Sequence, residues 1–217
     1  MSPARKFRIG YCSLHSAYPS VKAGRIIQLE SALERDYACL LEFDQAVASY
    51  MEQPVTLSYQ VPTENKQRRY TPDFLVHYVD EQPTQLVEIK YRADLRAHWT
   101  EYKPKFRAAQ QYAASQGWLF TIYTEEEIRS PYLQNARFLL RFQSPPAVIR
   151  QEYVDLLLEA IEKLDETTPA EVLLVIFQDA NRRAELLPTL WYLLSKGLIG
   201  CNLFQPLTMS SSLWALE

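Results

Sequence analysis

Three ionisable side chains in two otherwise apolar, strand-like runs constrain this chain more than any other feature. The runs are Tyr70-Thr71-Pro72-Asp73-Phe74-Leu75-Val76-His77-Tyr78-Val79 and Leu86-Val87-Glu88-Ile89-Lys90-Tyr91, separated by a polar stretch that carries Pro83. Their β-branched and aromatic content predicts two adjacent strands joined by a turn. Strand side chains alternate, so Glu88 and Lys90 share one face while Val87 and Ile89 take the other. Val87, Ile89 and Tyr91 then fill the core, and Glu88 and Lys90 face a cleft. Asp73 opens the neighbouring strand, just after Pro72. Two converging carboxylates suit Mg²⁺, which takes hard oxygen ligands and keeps several waters. Such a cation eases deprotonation of a bound water and stabilises charge on a phosphate oxygen. Lys90, its pKa lowered beside the cation, would orient the water or the scissile phosphate. The bland alternative is a cross-strand salt bridge, weak if exposed, and short motifs match by chance often enough to keep it open.

The flanking chain supplies the remaining elements of a mixed α/β domain. Residues 1–23 lack periodicity and end in the basic loop Lys22-Ala23-Gly24-Arg25. They read as a solvated arm packed on the domain or as one that touches phosphates. Gly24 to Glu30 is a short extended stretch. Ser31-Ala32-Leu33-Glu34 matches a capping box and predicts a helix through Phe43, with Leu33, Tyr37, Leu40 and Leu41 as its inward stripe. Glu34 lies on or beside that stripe, where its carboxylate serves either the helix start or a metal site. Residues 47–54 and 55–61 read as strand interrupted at Pro54, and residues 62–69 as a polar loop. After an unpatterned segment to Tyr102, a helix begins at Lys103-Pro104-Lys105 and stops at Gly117. Residues 118–124 are a strand, 125–129 a helical turn, and 132–142 a further helical pattern.

Ser144-Pro145-Pro146 is the predicted boundary between a domain at 1–143 and a second at 147–217. Beyond it lie three helical patterns, near 148–164, 169–178 and 182–196. Two short apolar runs then form a terminal hairpin or wing. A winged helix and a small helical interaction domain both fit. Residues 1–150 hold 19 Lys+Arg against 16 Asp+Glu, whereas residues 151–217 hold 4 against 10. A nucleic-acid partner therefore suits the first part, and a basic protein partner suits the second. The candidate phosphate contacts are Lys22, Arg25, Lys103, Lys105 and Arg107.

Composition narrows the chemistry. Cys12, Cys39 and Cys201 are too few and too scattered for a disulfide framework or a zinc cluster. His15, His77 and His98 are equally dispersed, so a metal would be held by carboxylates, which favours Mg²⁺ or Mn²⁺. No apolar run approaches the roughly 20 residues of a membrane span. The N-terminus lacks the apolar core of a secretory signal, so a cytoplasmic protein is expected.

The predicted order helix–strand–strand–strand–helix–strand, with Pro72-Asp73 and Glu88-Ile89-Lys90 in place, resembles the αβββαβ core of the restriction-endonuclease-like PD-(D/E)xK nucleases. The flanks sharpen the likeness. Ser31-Ala32-Leu33-Glu34-Arg35-Asp36-Tyr37, Glu52-Gln53-Pro54, Arg69-Tyr70-Thr71-Pro72-Asp73-Phe74 and Val87-Glu88-Ile89-Lys90 together resemble TnsA, the endonuclease subunit of heteromeric (Tn7-like) transposases. The likeness covers most of residues 20–125. It implies a bacterial enzyme that cuts the 5′ strands at transposon ends. A TnsB-like transposase cuts the 3′ strands, and a TnsC-like AAA+ regulator contacts the C-terminal region. It further implies Mg²⁺, replaceable by Mn²⁺, on Asp73, Glu88 and Glu34, with Lys90 completing the catalytic set. Some members have Gln where Glu88 stands; Glu gives a more ordinary nuclease site. The rival expectations are a stand-alone restriction or repair nuclease of the same fold and a non-catalytic adaptor.

Overall fold

A computed structural model of the chain describes residues 16–61, 66–143 and 150–216. The expected boundary at Ser144-Pro145-Pro146 and the first fifteen residues of the 1–23 arm, with Cys12 and His15, lie outside those residues. By packing, the chain separates into Met1–Arg129 and Ser130–Glu217, so the division falls ahead of the predicted one, at the turn before Pro131.

The first unit is built on a four-stranded sheet. Its strands are β3 (Val47–Glu52), β6 (Phe74–Tyr78), β7 (Gln85–Ile89) and β8 (Leu119–Tyr123), adjacent in that order. The first two pairings are antiparallel and β7–β8 is parallel. A parallel neighbour requires a crossover. Helix α2 (Arg92–Ser115) provides it, with a break at His98 (φ −118°, ψ 19°). Pro104 follows a few residues later, in the second segment of that helix. Helix α1 (Ala32–Phe43) covers the opposite face. The αβββαβ order is therefore present.

Strand alternation divides the core into two layers. Phe74, Val76, Val87 and Ile89 pack with Leu33, Tyr37, Ala38 and Leu41 of α1. Leu75 and Leu86 pack with Phe106, Ala109 and Ala113 of α2. Tyr91, expected in the core, is 40% exposed because the chain turns into α2 there.

Three departures from expectation have local causes. Part of the N-terminal arm is a strand. β1 (Ser16–Ser20) pairs with β2 (Arg25–Leu29) across a turn that ends at Gly24, whose φ of +67° favours glycine. Lys66-Gln67-Arg68-Arg69, expected as loop, belongs to strand β5 (Lys66–Tyr70), which pairs antiparallel with β4 (Leu57–Val61). Both of its faces are largely solvated, so no apolar alternation marks it. The unpatterned stretch before Lys103 is already helical from Arg92 on, across the break at His98. It buries so little that it shows no stripe.

Helix α1 begins as its sequence predicts. Ser31 is the N-cap, and its hydroxyl accepts from the Glu34 N–H at 3.1 Å. Ser31→Ala is expected to destabilise this unit by about 1 kcal/mol, measurable by thermal or urea unfolding.

A short helix α3 (Glu125–Ile128) closes the first unit. In the second unit, α4 (Pro131–Leu139) precedes α5 (Gln151–Leu164), β9 (Glu166–Thr167), α6 (Pro169–Ile176), α7 (Ala180–Ser195), β10 (Ile199–Cys201) and β11 (Leu213–Ala215). The small sheet runs β10-β11-β9. Three helices with a strand after the first and a hairpin after the third give the winged-helix layout. Residues 202–212 form the wing.

Candidate active site

The β6–β7 ladder ends where the chemistry begins. Its last paired residues are Phe74 and Val87, after which the Asp73 N–H donates to the Val87 carbonyl at 3.0 Å. Pro72 has no N–H to carry the ladder further. The next amide, that of Ile89, donates to the Asp73 side chain, Oδ2, at 2.6 Å. The carboxylate thus replaces a main-chain acceptor, and the two strands part around it. Asp73 Oδ1 makes no hydrogen bond to a described residue.

Lys90 and Glu88 complete the convergence. The Lys90 ammonium lies 3.1 Å from Glu88 Oε1, 3.9 Å from Asp73 Oδ2 and 3.1 Å from the Ile89 carbonyl. Glu88 is only 1% exposed. Its Oε2 accepts from the Tyr70 hydroxyl at 2.6 Å, and Lys105 of α2 reaches Oε1 at 3.3 Å. A buried carboxylate is tolerated only when charge and hydrogen bonds offset its desolvation; here two ammoniums and a phenol do so. The Lys105 ammonium also stands over the rings of Tyr102 (4.1 Å), Tyr70 and Phe106 (5.0 Å each), close enough for cation–π attraction. These groups line a cleft of about 710 Å³ that also includes Glu30, Arg69 and Thr71.

Electrostatics bind the cluster together. Burial, then the negative charge of Glu88, holds the Asp73 carboxyl well above the ordinary range, with Lys90 opposing. For Lys90 burial is the largest single influence and pulls downward. The joint charge of Asp73 and Glu88 outweighs it and sets the ammonium above its ordinary value.

The Asp73 shift has a consequence for stability. An acid raised in the folded state contributes stability below its unfolded value and loses it as pH rises through the folded value. At neutral pH Asp73 therefore makes the fold less stable than it would be with a neutral group in its place. Asp73→Asn keeps an acceptor for the Ile89 amide and removes that destabilisation. Its Tm at pH 7 is expected to exceed that of the parent chain, by roughly 2–4 °C for each kcal/mol gained. The advantage vanishes below about pH 4, where the unfolded acid is also protonated.

Glu34 makes no hydrogen bond to the converging groups, although its charge is felt by both Asp73 and Lys90. Its Oε2 accepts from the Glu30 N–H at 2.9 Å, one residue earlier than in a strict capping box. Burial raises its carboxyl, and the Glu30 and Ser31 hydrogen bonds oppose that shift. Lys90 is felt as a weaker, charge-only influence. Its Oε2 thus serves the helix start. Among the described residues no group of three or more His, Cys, Asp or Glu is arranged to hold a metal. The carboxylates that converge with Lys90 are those of Asp73 and Glu88. That pair fits a cation which binds through one or two carboxylates and completes its shell with water and substrate phosphate.

Of the candidate phosphate contacts, three are engaged internally. The Lys22 ammonium bonds the carbonyls of Leu41 and Asp44 at the end of α1. Arg25 makes a two-pronged pair with Glu52. Lys105 faces Glu88. Lys103 and Arg107 remain exposed.

Sequence reasoning missed Tyr70, Tyr102 and Gln53 as parts of this site. Gln53 carries the unusual backbone φ of +47°, where a non-glycine residue is strained. Its N–H donates to the Asp73 carbonyl at 2.8 Å, and its Nε2 donates to Glu30 Oε1 at 3.0 Å. Its Oε1 is buried with no hydrogen-bond partner among the described residues. Its place before Pro54 gave no signal of that φ, because a residue before proline is biased toward extended backbone at negative φ.

Two family models match the chain. One, described as TnsA-like endonuclease N terminal, covers residues 44–125; the other, described as TnsA endonuclease C terminal, covers residues 127–203. The first range includes Asp73, Glu88 and Lys90, whereas Glu34 lies ahead of it. No curated protein matches the chain.

Proposed function

The chain belongs to the TnsA endonuclease family, and from that premise we propose that it cuts the 5′ strands at transposon ends within a transposase complex. The observation that carries this reading is the convergence of Asp73, Glu88 and Lys90 at one parting of two strands. Asp73 and Glu88 are the groups that would hold Mg²⁺, with Mn²⁺ as a substitute. When bound, the cation would supply a more acidic water and neutralise charge on a phosphate oxygen.

The chain's own residues account for the rest. Lys90, fixed by two carboxylates and a carbonyl, presents a permanent positive charge to a phosphate entering the cleft. Tyr70 fixes Glu88 Oε2 and leaves Oε1 turned toward the lysines. Lys105 places a second ammonium on the same oxygen, Oε1, of Glu88, and its aromatic surroundings limit its movement.

Cutting in company with other subunits agrees with the charge distribution. A duplex-binding nuclease that works alone is expected to carry a marked basic excess, whereas this chain has a net charge of −3. The winged-helix unit also presents few usable cations at the start of α7. Arg182 lies over the Phe177 ring at 3.7 Å, and Arg183 bonds the carbonyls of Phe177 and Gln178. An acidic winged helix with its leading arginines engaged suits a protein partner, for which a TnsC-like AAA+ regulator is the proposal; a TnsB-like transposase is proposed to cut the opposite strands. Among the described residues no helix is long and apolar enough to cross a membrane, and a bacterial cytoplasmic setting is proposed.

The test is strand-resolved cleavage of a transposon-end duplex, with Mg²⁺ or Ca²⁺, with and without the partner transposase. Nicking of the 5′ strand only in the Mg²⁺ reaction containing the partner is expected. Efficient cutting of plasmid DNA by the chain alone would instead identify a stand-alone nuclease. Silence in the complete assembly would identify an adaptor.

A further inference from the structure

We propose that the β4–β5 hairpin, together with the adjoining face of α2, is a binding site for the phosphate backbone of duplex DNA beside the cleft. The proposal rests on the reading of this chain as a DNA endonuclease and says where the duplex lies.

The hairpin has two unlike faces. Cross-strand partners share a face in an antiparallel pair. Leu57↔Tyr70 and Tyr59↔Arg68 thus lie on one side, and Ser58↔Arg69 and Gln60↔Gln67 on the other. Leu57 and Tyr70 are buried in the α2 layer of the core and anchor the base. Ser58, Gln60, Gln67 and Arg69 are all exposed. That face carries hydroxyl, amide and guanidinium donors and no carboxylate. Such side chains are the ones that bond phosphate oxygens without reading sequence.

The anchoring fixes this face relative to the catalytic acids. Tyr70, the last residue of β5, donates to Glu88. The Thr56 and Thr71 hydroxyls, 3.0 Å apart, close the hairpin's base, and Arg69 lines the same cleft as Asp73. At about 3.3 Å per residue in extended chain, Arg69 lies within roughly 13 Å of Asp73 along the strand, a reach of about two phosphates. Beside β4, a second groove of about 460 Å³ is lined by Ser58, Gln60, Lys103 and Arg107. Lys103 and Arg107 are one helical turn apart and so project along one face. Arg69, Lys103 and Arg107 form no ion pair with any described residue. Cationic side chains also discourage strands from pairing edge to edge, but that role does not require them on α2 as well.

The test is equilibrium binding of the full-length chain to a fluorescent duplex at several salt concentrations, without divalent metal, so that no cleavage occurs. If Arg69, Lys103 and Arg107 each contact a phosphate, replacing all three by Gln lowers the log–log salt slope by about 2.7, at roughly 0.9 per phosphate. Between about 50 and 200 mM salt the wild-type affinity then falls roughly 40-fold more than the variant's. Lys163→Gln, which changes an exposed cation in the other unit, should leave the slope alone. An unchanged slope in the triple variant, or no measurable duplex binding by the wild type, overturns the proposal. The nuclease reading fails by a different result, namely cleavage by the assembly that survives loss of Asp73.

Discussion

Complexes assembled with the Asp73→Ala or Lys90→Ala chain are expected to cut 5′ strands about 10²–10⁴-fold more slowly than the wild type. Assembly with partners and DNA should be retained. The two substitutions act at different links. Asp73 accepts the Ile89 amide and, on the proposed mechanism, would offer an oxygen to the cation, so Ala would remove that ligand and leave an N–H with no acceptor where the strands part. Lys90 contributes charge; its loss leaves Glu88 with Lys105 as its remaining ammonium and leaves the phosphate unneutralised. The measurement is single-turnover, strand-resolved cleavage, with complex formation followed by native electrophoresis. Asp73→Asn separates the effects, because it keeps an acceptor for the amide. It should be as slow as Asp73→Ala yet more stable at neutral pH. Wild-type rates with either alanine variant would falsify the assignment.

Phe74→Ala is expected to destabilise the first unit by about 3–5 kcal/mol, enough to unfold much of it at 37 °C. Phe74 is fully buried. Its ring meets that of Tyr37 of α1 edge-on with centroids 5.4 Å apart, and that of Tyr50 of β3 at 6.2 Å. Truncation removes the apolar area together with two aromatic contacts and leaves a cavity between α1 and the sheet, which rigid neighbours cannot fill. Calorimetry should show the first unit's transition moved to lower temperature. Phe74→Leu should recover a large part of the loss, because it restores most of the volume. A Phe74→Ala melt indistinguishable from the parent's would mean the core closes around the gap.

The parts of the fold that were legible in the sequence are those where burial is one-sided and periodic. α1 announced itself through Ser31 and the Leu33, Tyr37, Leu41 stripe, and the central strands through runs of Val, Ile, Phe and Leu broken by charge. β5 left no such trace, because a strand solvated on both faces has nothing to alternate. The first segment of α2 was hidden for the same reason. In the site, Asp73, Glu88 and Lys90 were legible because ions in apolar strands need an explanation. Tyr70 was not, and Lys105 was legible only as a phosphate contact, not as a partner of Glu88. A tyrosine at a strand end and a lysine on an exposed-looking helix carry no anomaly until the fold brings them to Glu88. Of the two readings of Glu34, the helix-start one has a visible contact: its Oε2 accepts the Glu30 amide.

The Asp73–Ile89 hydrogen bond also bears on how substrate meets the site. Because the acid stands in for a backbone acceptor, its rotamer is chosen when the sheet forms. Lys90, a side chain with about 2 kcal/mol of rotamer freedom in solution, is likewise held by Glu88 and its own neighbour's carbonyl. The entropy of ordering these groups is thus lost during folding rather than on arrival of DNA. A phosphate entering the cleft meets charges already immobilised, so its binding need not supply the free energy to arrange them.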